Sequence, residues 1–218
     1  MNSKKKFAVV LAGCGVNDGA EIQEATLTLL AIDRNKAEYQ CFAPDINQLH
    51  VVNHLNGTEM KETRNVLTES ARIARGNIKP LGSFEEKEFD ALIFPGGFGV
   101  AKNLCSFAFD GVNCSVNPEV EKVIKSMHAA RKPIGALCIS PVLITKVLGN
   151  IKTTIGNDTE TINAIEAFGG KHVDAVHCEV VIDQENKIVS TPCYMLDATI
   201  SQIAEGAENA VSAIIKML

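Results

Sequence analysis

The sequence predicts an α/β fold in which helices cover both faces of a mostly parallel β-sheet. Three observations lead to this prediction. Short apolar segments alternate along the chain with longer segments that have helical periodicity. Several of the short segments contain no polar residue, as is typical of strands that are buried on both faces. Glycine-rich turns follow two of them, at the strand ends where open α/β sheets bind their ligands.

The first half of the chain predicts two strands and two helices. Both helices carry apolar residues at helical spacing, and the second one runs into Arg75-Gly76, a typical C-terminal cap. A polar, irregular segment precedes that helix and indicates an excursion from the core. In order, we predict a strand at 7–12, a glycine-rich turn at 13–19, a helix at 21–33, a strand at 39–43, an excursion at 44–63 and a helix at 64–74.

The second half alternates strands and helices more regularly. Asn117-Pro118 has the residue types that open a helix, and Gly169-Gly170 has those that end one. Because no repeat or linker interrupts the order, we expect one domain over residues 1–218. In this half we predict strands at 91–94, 134–137, 152–155, 176–183 and 187–190, with helices from 117 to about 130 and at 139–148, 159–168 and 197–218.

Composition and charge exclude several functional classes. The net charge is −5, the basic residues are scattered and Trp is absent, so we expect no nucleic-acid partner. No apolar run approaches the roughly 20 residues that span a bilayer, and we expect no membrane partner. The seven cysteines show neither C-x-x-C nor zinc-like spacing. We therefore expect reduced thiols, no metal and a cytoplasmic protein.

Cys138 is the candidate nucleophile. It ends an apolar segment, has the small residues Ala136 and Ser140 two positions away on either side, and precedes a predicted helix. This pattern is typical of a nucleophile elbow, a strand–turn–helix junction that exposes one reactive side chain. The N-terminus of the helix is expected to favour the thiolate over the thiol. The alternative is a buried core cysteine, because free cysteine is among the most buried residue types.

Two other features lie where they could assist this thiol. The backbone N–H groups of the Gly96-Gly97 turn and of Ile139 could form an oxyanion hole, although a glycine turn can also serve only to reverse the chain. Glu21 and Glu24 begin the first helix and could exchange a proton with the thiol. Acidic residues are also common in a first helical turn without any such role.

Two other kinds of site are less well supported. Histidine often activates cysteine, but none of the five histidines follows Cys138 directly. His54 could fold over the site from the excursion, and a surface position is the simpler interpretation. Gly13-x-Gly15 resembles the start of a dinucleotide-binding turn, but the third glycine is replaced by Asp18.

Motifs along nearly the whole chain resemble one protein family. The chain is similar to the PfpI-type proteins of the class I glutamine amidotransferase-like superfamily, and within them to the ElbB group, the enhancing lycopene (isoprenoid) biosynthesis proteins. The segments that carry the resemblance are Gly13-Cys14-Gly15, Asp18 to Ile22, Cys41 to Asp45, Asn53-His54-Leu55, Glu62 to Leu67, Pro95 to Gly99, Lys102-Asn103-Leu104, Cys138-Ile139, Thr191-Pro192 and Tyr194-Met195.

The resemblance implies a fold and an activity. The fold is flavodoxin-like and doubly wound, and the protein is a cysteine enzyme that uses no cofactor. Similar members are glyoxalase III-type lyases, which convert glyoxal-type dicarbonyls into hydroxy acids. A homodimer is also implied, because homo-oligomers are common in the superfamily.

The resemblance also implies roles for individual residues. Cys138 matches the nucleophile, and Glu24 best matches its paired carboxylate, with Glu21 as the second choice. Gly97 and Ile139 match the oxyanion hole. We also expect Gly96, Asn103 and Glu21 to bind the substrate.

The sequence departs from the superfamily pattern at two places. Many members have a histidine directly after the cysteine, where this chain has Ile139, and a second histidine is replaced by the segment Thr154-Ile155-Gly156. A Cys–His–acid triad is therefore not expected. The alternative to a glyoxalase is a non-catalytic redox sensor or regulatory binding protein on the same fold, because an exposed, reactive cysteine is easily oxidised.

Overall fold

A seven-stranded sheet forms the centre of the molecule. The computed structural model describes residues 4–218; the expected domain of residues 1–218 thus begins with three residues that lie outside this description. The strand order is β3-β2-β1-β4-β5-β9-β8. These strands are β1 Lys6–Val10, β2 Glu38–Ala43, β3 Ile78–Pro80, β4 Ala91–Phe94, β5 Ile134–Leu137, β8 Val181–Asp183 and β9 Ile188–Thr191.

The sheet is parallel except at one edge, where β8 runs antiparallel to β9. From β1 the chain builds outward through β2 and β3, and then crosses to build the other half through β4, β5 and β9. The central order β2-β1-β4-β5-β9 is that of flavodoxin-like sheets, so the predicted fold class is confirmed. The two halves diverge between β1 and β4, and ligands of such sheets bind beyond the carboxyl ends of the strands at that point.

Helices cover both faces of the sheet. Alternate residues of β1 point to opposite faces, so Phe7 and Val9 pack against one pair of helices while Ala8 and Val10 pack against another. The helices α1 and α7 cover the first face, and α4 and α5 cover the second. The helices are α1 Ile22–Arg34, α2 Val66–Ile73, α3 Phe107–Asp110, α4 Pro118–Ala129, α5 Ser140–Leu148, α6 Thr159–Ala167 and α7 Ile200–Ile215.

Three parts of the structure differ from the prediction. The expected strand 176–183 is reduced to β8, because Cys178 has a positive φ of 67° and the Glu179 carboxylate accepts a hydrogen bond from Val176 N, which makes a turn. The edge strand β3 was not predicted. Strand β6, Lys152–Thr153, pairs with a further short strand, β7, Lys171–His172, in a separate two-stranded sheet.

The excursion at 44–63 packs against the glycine-rich turn at 13–19. Asp18, which is buried, accepts a hydrogen bond of 2.6 Å from Val52 N. His54 accepts a hydrogen bond from Asn17 N through Nε2, 3.1 Å away, and its Nδ1 lies 3.0 Å from the carbonyl oxygen of Val52. These bonds hold the excursion beside the carboxyl ends of β1 and β4. Across residues 4–218, no helix combines the length and apolar character needed to cross a membrane.

Candidate active site

Cys138 sits on a sharp turn between β5 and α5. Its φ is +58°, a left-handed conformation that is uncommon for residues other than glycine and is found at nucleophile elbows. Its N–H donates a hydrogen bond of 3.0 Å to Thr191 O, which continues the pairing of β5 with β9. On the other side of the turn, Ser140 Oγ donates a hydrogen bond of 2.9 Å to Pro95 O. The turn is thereby held from both neighbouring strands, and the thiol points over the end of β4.

Glu24 lies next to this thiol in the first turn of α1. Its side chain is fully buried and is hydrogen-bonded to the thiol of Cys138. Its oxygens also accept hydrogen bonds from Gly96 N at 2.9 Å and from Tyr194 N at 3.1 Å. Three separate parts of the chain therefore converge on one carboxyl group.

Glu21 has a different position. It is the N-cap residue of α1, and its Oε2 accepts a hydrogen bond of 2.6 Å from Glu24 N. Its own N–H donates a hydrogen bond of 2.9 Å to Gly96 O. Burial raises the pKa of the Glu21 carboxyl group, although the N–H groups of the first helical turn act against this. The structure thus brings Glu24, and not Glu21, beside the cysteine.

Burial determines the protonation of the pair. It raises the pKa of Glu24 to about 7, with a smaller contribution from the charge of Glu21, while the N–H of Tyr194 and the thiol act in the opposite direction. Burial and the Glu24 carboxylate also raise the pKa of the Cys138 thiol well above its usual range, although the N–H groups of Gly97 and Ile139 lower it. The resting cysteine is therefore a neutral thiol, not the thiolate that the N-terminus of α5 led us to expect.

Gly96 and Gly97 leave no room for side chains. A Cβ atom on Gly96 would lie 2.6 Å from Glu24 Oε2 and 2.8 Å from Cys138 Sγ. Gly97 has a φ of +100°, and a Cβ atom there would lie 2.8 Å from the carbonyl carbon of Ala20 and overlap the Glu21 nitrogen. The backbone of this turn can approach both the carboxyl group and the thiol only because neither residue has a side chain.

A cavity of about 400 Å³ opens above Cys138. Its wall is mostly apolar, and its acidic members are Glu21 and Asp158, the second of which is occupied as the N-cap of α6. No arginine, lysine or histidine lines it within the part of the chain that the structure describes. The apolar wall includes Val16, Phe98, Phe107, Ile139 and Met195.

Asn103, which was predicted to bind substrate, does not line the cavity. It belongs to a π-helical turn at Val100–Leu104, and its Nδ2 donates hydrogen bonds of 2.9 Å to Ala12 O and to Asp18 O. Its Oδ1 accepts a hydrogen bond of 3.1 Å from Leu49 N. All its polar side-chain atoms are used in these bonds, which join the excursion to the core, and none of them faces the cavity.

Two neighbouring residues are also explained by the structure. Lys102 donates a hydrogen bond of 2.8 Å to Asn17 O, and its Nζ lies 5.5 Å from the centre of the Phe98 ring. It therefore contacts a residue of the cavity wall without lining the cavity itself. Tyr194 lines the cavity and its hydroxyl group is hydrogen-bonded to Gln23. The N–H of Tyr194 on Glu24 was not predicted, because a backbone donor carries no sequence signal of its own.

Comparison with known proteins identifies relatives along nearly the whole chain. No family model matches it. It is 49% identical over 211 residues to the human glutamine amidotransferase-like class 1 domain-containing protein 3, mitochondrial, covering 92% of this chain and 79% of that protein. It is 45% identical over 224 residues to the ES1 protein homolog, mitochondrial, of Rattus norvegicus, covering 98% of this chain and 84% of that protein.

Solved structures agree with these relatives. A crystal structure of an isoprenoid biosynthesis protein with an amidotransferase-like domain from Ehrlichia chaffeensis superimposes with a TM-score of 0.92, at 39% identity, over 98% of this chain and 99% of that one. Glyoxalase III from Candida albicans superimposes with a TM-score of 0.62 at 14% identity, over 96% of this chain and 97% of that one, which shows a shared fold alone.

Proposed function

The chain belongs to the class I glutamine amidotransferase-like (DJ-1/PfpI) superfamily, in the group of the ES1 and ElbB-like proteins, and on this premise we propose that it is a cofactor-independent glyoxalase. The proposed reaction converts a dicarbonyl of the glyoxal type into a hydroxy acid. The observation that carries the proposal is the hydrogen-bonded pair of Glu24 and Cys138 beneath an apolar cavity. Glyoxalase activity occurs in the same fold, in the Candida albicans protein named above.

The first step forms a bond between the cysteine and the substrate. Glu24 takes the proton of the Cys138 thiol while the sulfur attacks the aldehyde carbon. It then passes that proton to the new oxyanion, which gives a hemithioacetal and restores the Glu24 carboxylate. A base with a pKa of about 7 is well matched to this transfer at neutral pH. The N–H groups of Gly97 and Ile139, which lie against the sulfur, are placed to stabilise the developing oxyanion.

The second step is an internal oxidation and reduction. Glu24 removes the proton from the former aldehyde carbon, which gives an enediol, and returns it to the adjacent carbon. The hydroxyl proton of the first carbon moves to the oxygen of the second, so the first carbon is oxidised and the second is reduced. The product is a thioester of a 2-hydroxy acid. Water then hydrolyses the thioester, releases the hydroxy acid and restores the thiol, so the sequence consumes one water and needs no external oxidant.

The cavity supports a particular class of dicarbonyl. Its wall is apolar and its acidic members are Glu21 and Asp158. An anionic substrate would meet like charges there and no cation among the lining residues of the described chain. We therefore propose neutral 2-oxoaldehydes as substrates.

The alternative of a redox sensor at Cys138 is less well supported. Peroxides react with thiolates, and burial together with the Glu24 carboxylate keeps this thiol protonated. Glu24 and Cys138 are better suited to a reaction in which Glu24 removes the thiol proton as the substrate binds than to oxidation by peroxide.

Replacement of the cysteine tests the proposal. Purified wild-type protein, Cys138→Ala and the control Cys178→Ala are assayed for dicarbonyl loss and hydroxy-acid formation, without glutathione or added metal. We expect turnover in the wild type and the control, and none in Cys138→Ala. Activity retained in Cys138→Ala would refute the cysteine mechanism.

Assembly and location are further proposals. We propose a homodimer, as the family resemblance implies, and light scattering of the purified protein tests it. The sequence leads us to propose a cytoplasmic location, whereas the human and rat relatives are named as mitochondrial proteins. Fractionation of the source cells distinguishes the two.

A further inference from the structure

A second pair of reactive groups lies in the segment that forms one wall of the cavity. Cys105 and Cys114 are both buried, and their thiols are hydrogen-bonded to each other. The segment between them contains α3, whose Phe107 and Ala108 line the cavity above Cys138. Neither cysteine takes part in the chemistry proposed for Glu24 and Cys138.

The backbone holds the two thiols in this arrangement. Cys105 pairs with Val116 in an isolated antiparallel bridge, flanked by hydrogen bonds of 2.9 Å from Ser106 N to Ser115 O and from Asn117 N to Leu104 O. In such a pair, a residue two positions before the partner lies diagonally across on the same face. Cys114 has this position relative to Cys105, so the two side chains meet below the loop.

The two thiols differ in reactivity. The hydrogen bond from Cys105 lowers the pKa of the Cys114 thiol, burial acts in the opposite direction, and the nearby Lys146 lowers it further. The ammonium group of Lys146 donates a hydrogen bond of 3.1 Å to Val112 O, within the same loop. The hydrogen bond with Cys114 and burial raise the pKa of the Cys105 thiol. Cys114 is therefore the thiol that ionises more readily, and Cys105 is the thiol beside it.

We propose that Cys105 and Cys114 form a reversible disulfide when the protein meets a peroxide. The Cys114 thiolate attacks one peroxide oxygen, which breaks the O–O bond, oxidises the sulfur to a sulfenic acid and releases hydroxide. The Cys105 sulfur then attacks the sulfenic sulfur, and the displaced oxygen leaves as water. Both steps involve only the two cysteines and the peroxide.

Access for the oxidant comes from the surface side of the loop. Cys114 is itself 4% exposed, but it lies between the exposed residues Asn113 and Ser115 and is therefore close to the surface. The single proton of the Cys105 thiol has two acceptors within reach, the sulfur of Cys114 and Val100 O at 3.3 Å, and a disulfide would remove it from both. The backbone N–H of Cys105 would keep its hydrogen bond of 3.1 Å to Val100 O, so the disulfide would fix the loop at its base without detaching it from the π-helical turn.

Thiol counting in a Cys138→Ser background tests this pair without interference from the proposed nucleophile. That variant retains six of the seven cysteines. The folded variant is treated with hydrogen peroxide, quenched, unfolded and alkylated, and its peptides are mapped. We expect two of the six thiols to be lost, a disulfide joining Cys105 to Cys114, and recovery of both thiols with dithiothreitol.

Two further variants in the same background show which of the two cysteines reacts with the peroxide first. Cys105→Ser should leave a sulfenic acid at Cys114 that dimedone traps, whereas Cys114→Ser should lose no thiol at position 105. Recovery of six free thiols, a disulfide between other cysteines, or a loss that dithiothreitol does not reverse would overturn the proposal. None of these results depends on dicarbonyl turnover, so this proposal and the glyoxalase proposal fail separately.

Discussion

Glu24 and Cys138 come from opposite sides of β4 and meet over its end. Glu24 follows β1, Cys138 follows β5, and Gly96 separates them without a side chain of its own. Their hydrogen bond lies in a buried site where the ionised form of either group is costly. Glu24 consequently gains or loses its proton near neutral pH beside a thiol that stays protonated, and several measurable properties depend on this titration.

The pH dependence of stability should report the buried carboxyl group. The folded-state pKa of Glu24 is raised from 4.5 to about 7, so the folded protein binds this proton more tightly than the unfolded chain does. Its contribution to stability is present below about pH 4.5 and is lost as the pH rises through 7, by about 3 kcal/mol in total. Denaturant unfolding at several pH values should show this loss relative to Glu24→Gln.

A matched control separates this effect from general titration. Glu160 also lies in the first turn of a helix, α6, but is exposed. Glu160→Gln should keep the wild-type pH dependence. Parallel stability curves for wild type and Glu24→Gln would show that Glu24 does not titrate in this range.

The pH profile of turnover should show the same group acting as a base. The proposed reaction needs the Glu24 carboxylate, so kcat/KM should rise with pH and level off above about 7. In Glu24→Gln this rise should disappear, and kcat should fall by about 100-fold or more. In Glu21→Gln the rise should remain but move to lower pH, because the charge of Glu21 raises the pKa of Glu24. A profile that is unchanged in Glu24→Gln would remove the base from the mechanism.

Gly96 should not tolerate a methyl group. The added Cβ atom would lie 2.6 Å from Glu24 Oε2 and 2.8 Å from Cys138 Sγ, so both side chains would have to move. We expect Gly96→Ala to lower the free energy of unfolding by about 1–3 kcal/mol and to abolish most of the activity. Gly206→Ala, within α7, is the control, because its nearest neighbour would be Thr191 Oγ1 at 3.3 Å, a contact that a shift of a few tenths of an ångström relieves. Full activity in Gly96→Ala would contradict the described packing.

The sequence predicts the central strands of the sheet better than its edge strands. Segments such as 91–94 and 134–137 are fully apolar because they are buried on both faces, and they form β4 and β5 as expected. The edge strand β3, Ile78–Pro80, has no such pattern because one side of it faces solvent. The segment 176–180 has apolar residues typical of a strand, but side-chain and backbone bonds that depend on the folded surroundings turn it instead.

The candidate site also has features that the sequence predicts and features that it does not. Cys138 and the Gly96-Gly97 turn lie at strand ends that a parallel sheet brings to one edge, so their convergence was predictable. Glu21 and Glu24 are one helical turn apart, so their spacing could not separate them, and only the family resemblance ranked Glu24 first. The difference lies in the cap, because Glu21 turns back onto the start of α1 and leaves Glu24 to face the thiol.

Asn103 offers a test of that geometry through stability. Its side chain makes hydrogen bonds to Ala12 O, Asp18 O and Leu49 N, all away from the cavity. Asn103→Ala leaves these groups without partners, and we expect a loss of about 2 kcal/mol or more in the free energy of unfolding. The KM for dicarbonyls should change little where the variant is folded. A raised KM with unchanged stability would restore Asn103 to the substrate-binding set.

The cavity wall should select substrates by polarity and charge. Burial of an aromatic ring contributes about 2 kcal/mol, or about 30-fold in kcat/KM, so phenylglyoxal should be preferred to glyoxal. 4-Carboxyphenylglyoxal has the same ring with a negative charge, and Glu21 with Asp158 should oppose it. Phe98→Ala should reduce the preference for the ring, because Phe98 lines the cavity.

Phe109→Ala is the control for this selectivity, because Phe109 is 49% exposed, close to the 54% of Phe98, and lies outside the cavity wall. It should keep the wild-type ratio of kcat/KM values. Steady-state kinetics with the three dicarbonyls on the three proteins measure both effects. Equal kcat/KM values for the neutral and the charged aromatic substrate would mean that the reacting dicarbonyl does not occupy this cavity, since a carboxylate placed there would lie among acidic and apolar groups with no lining cation in the described chain.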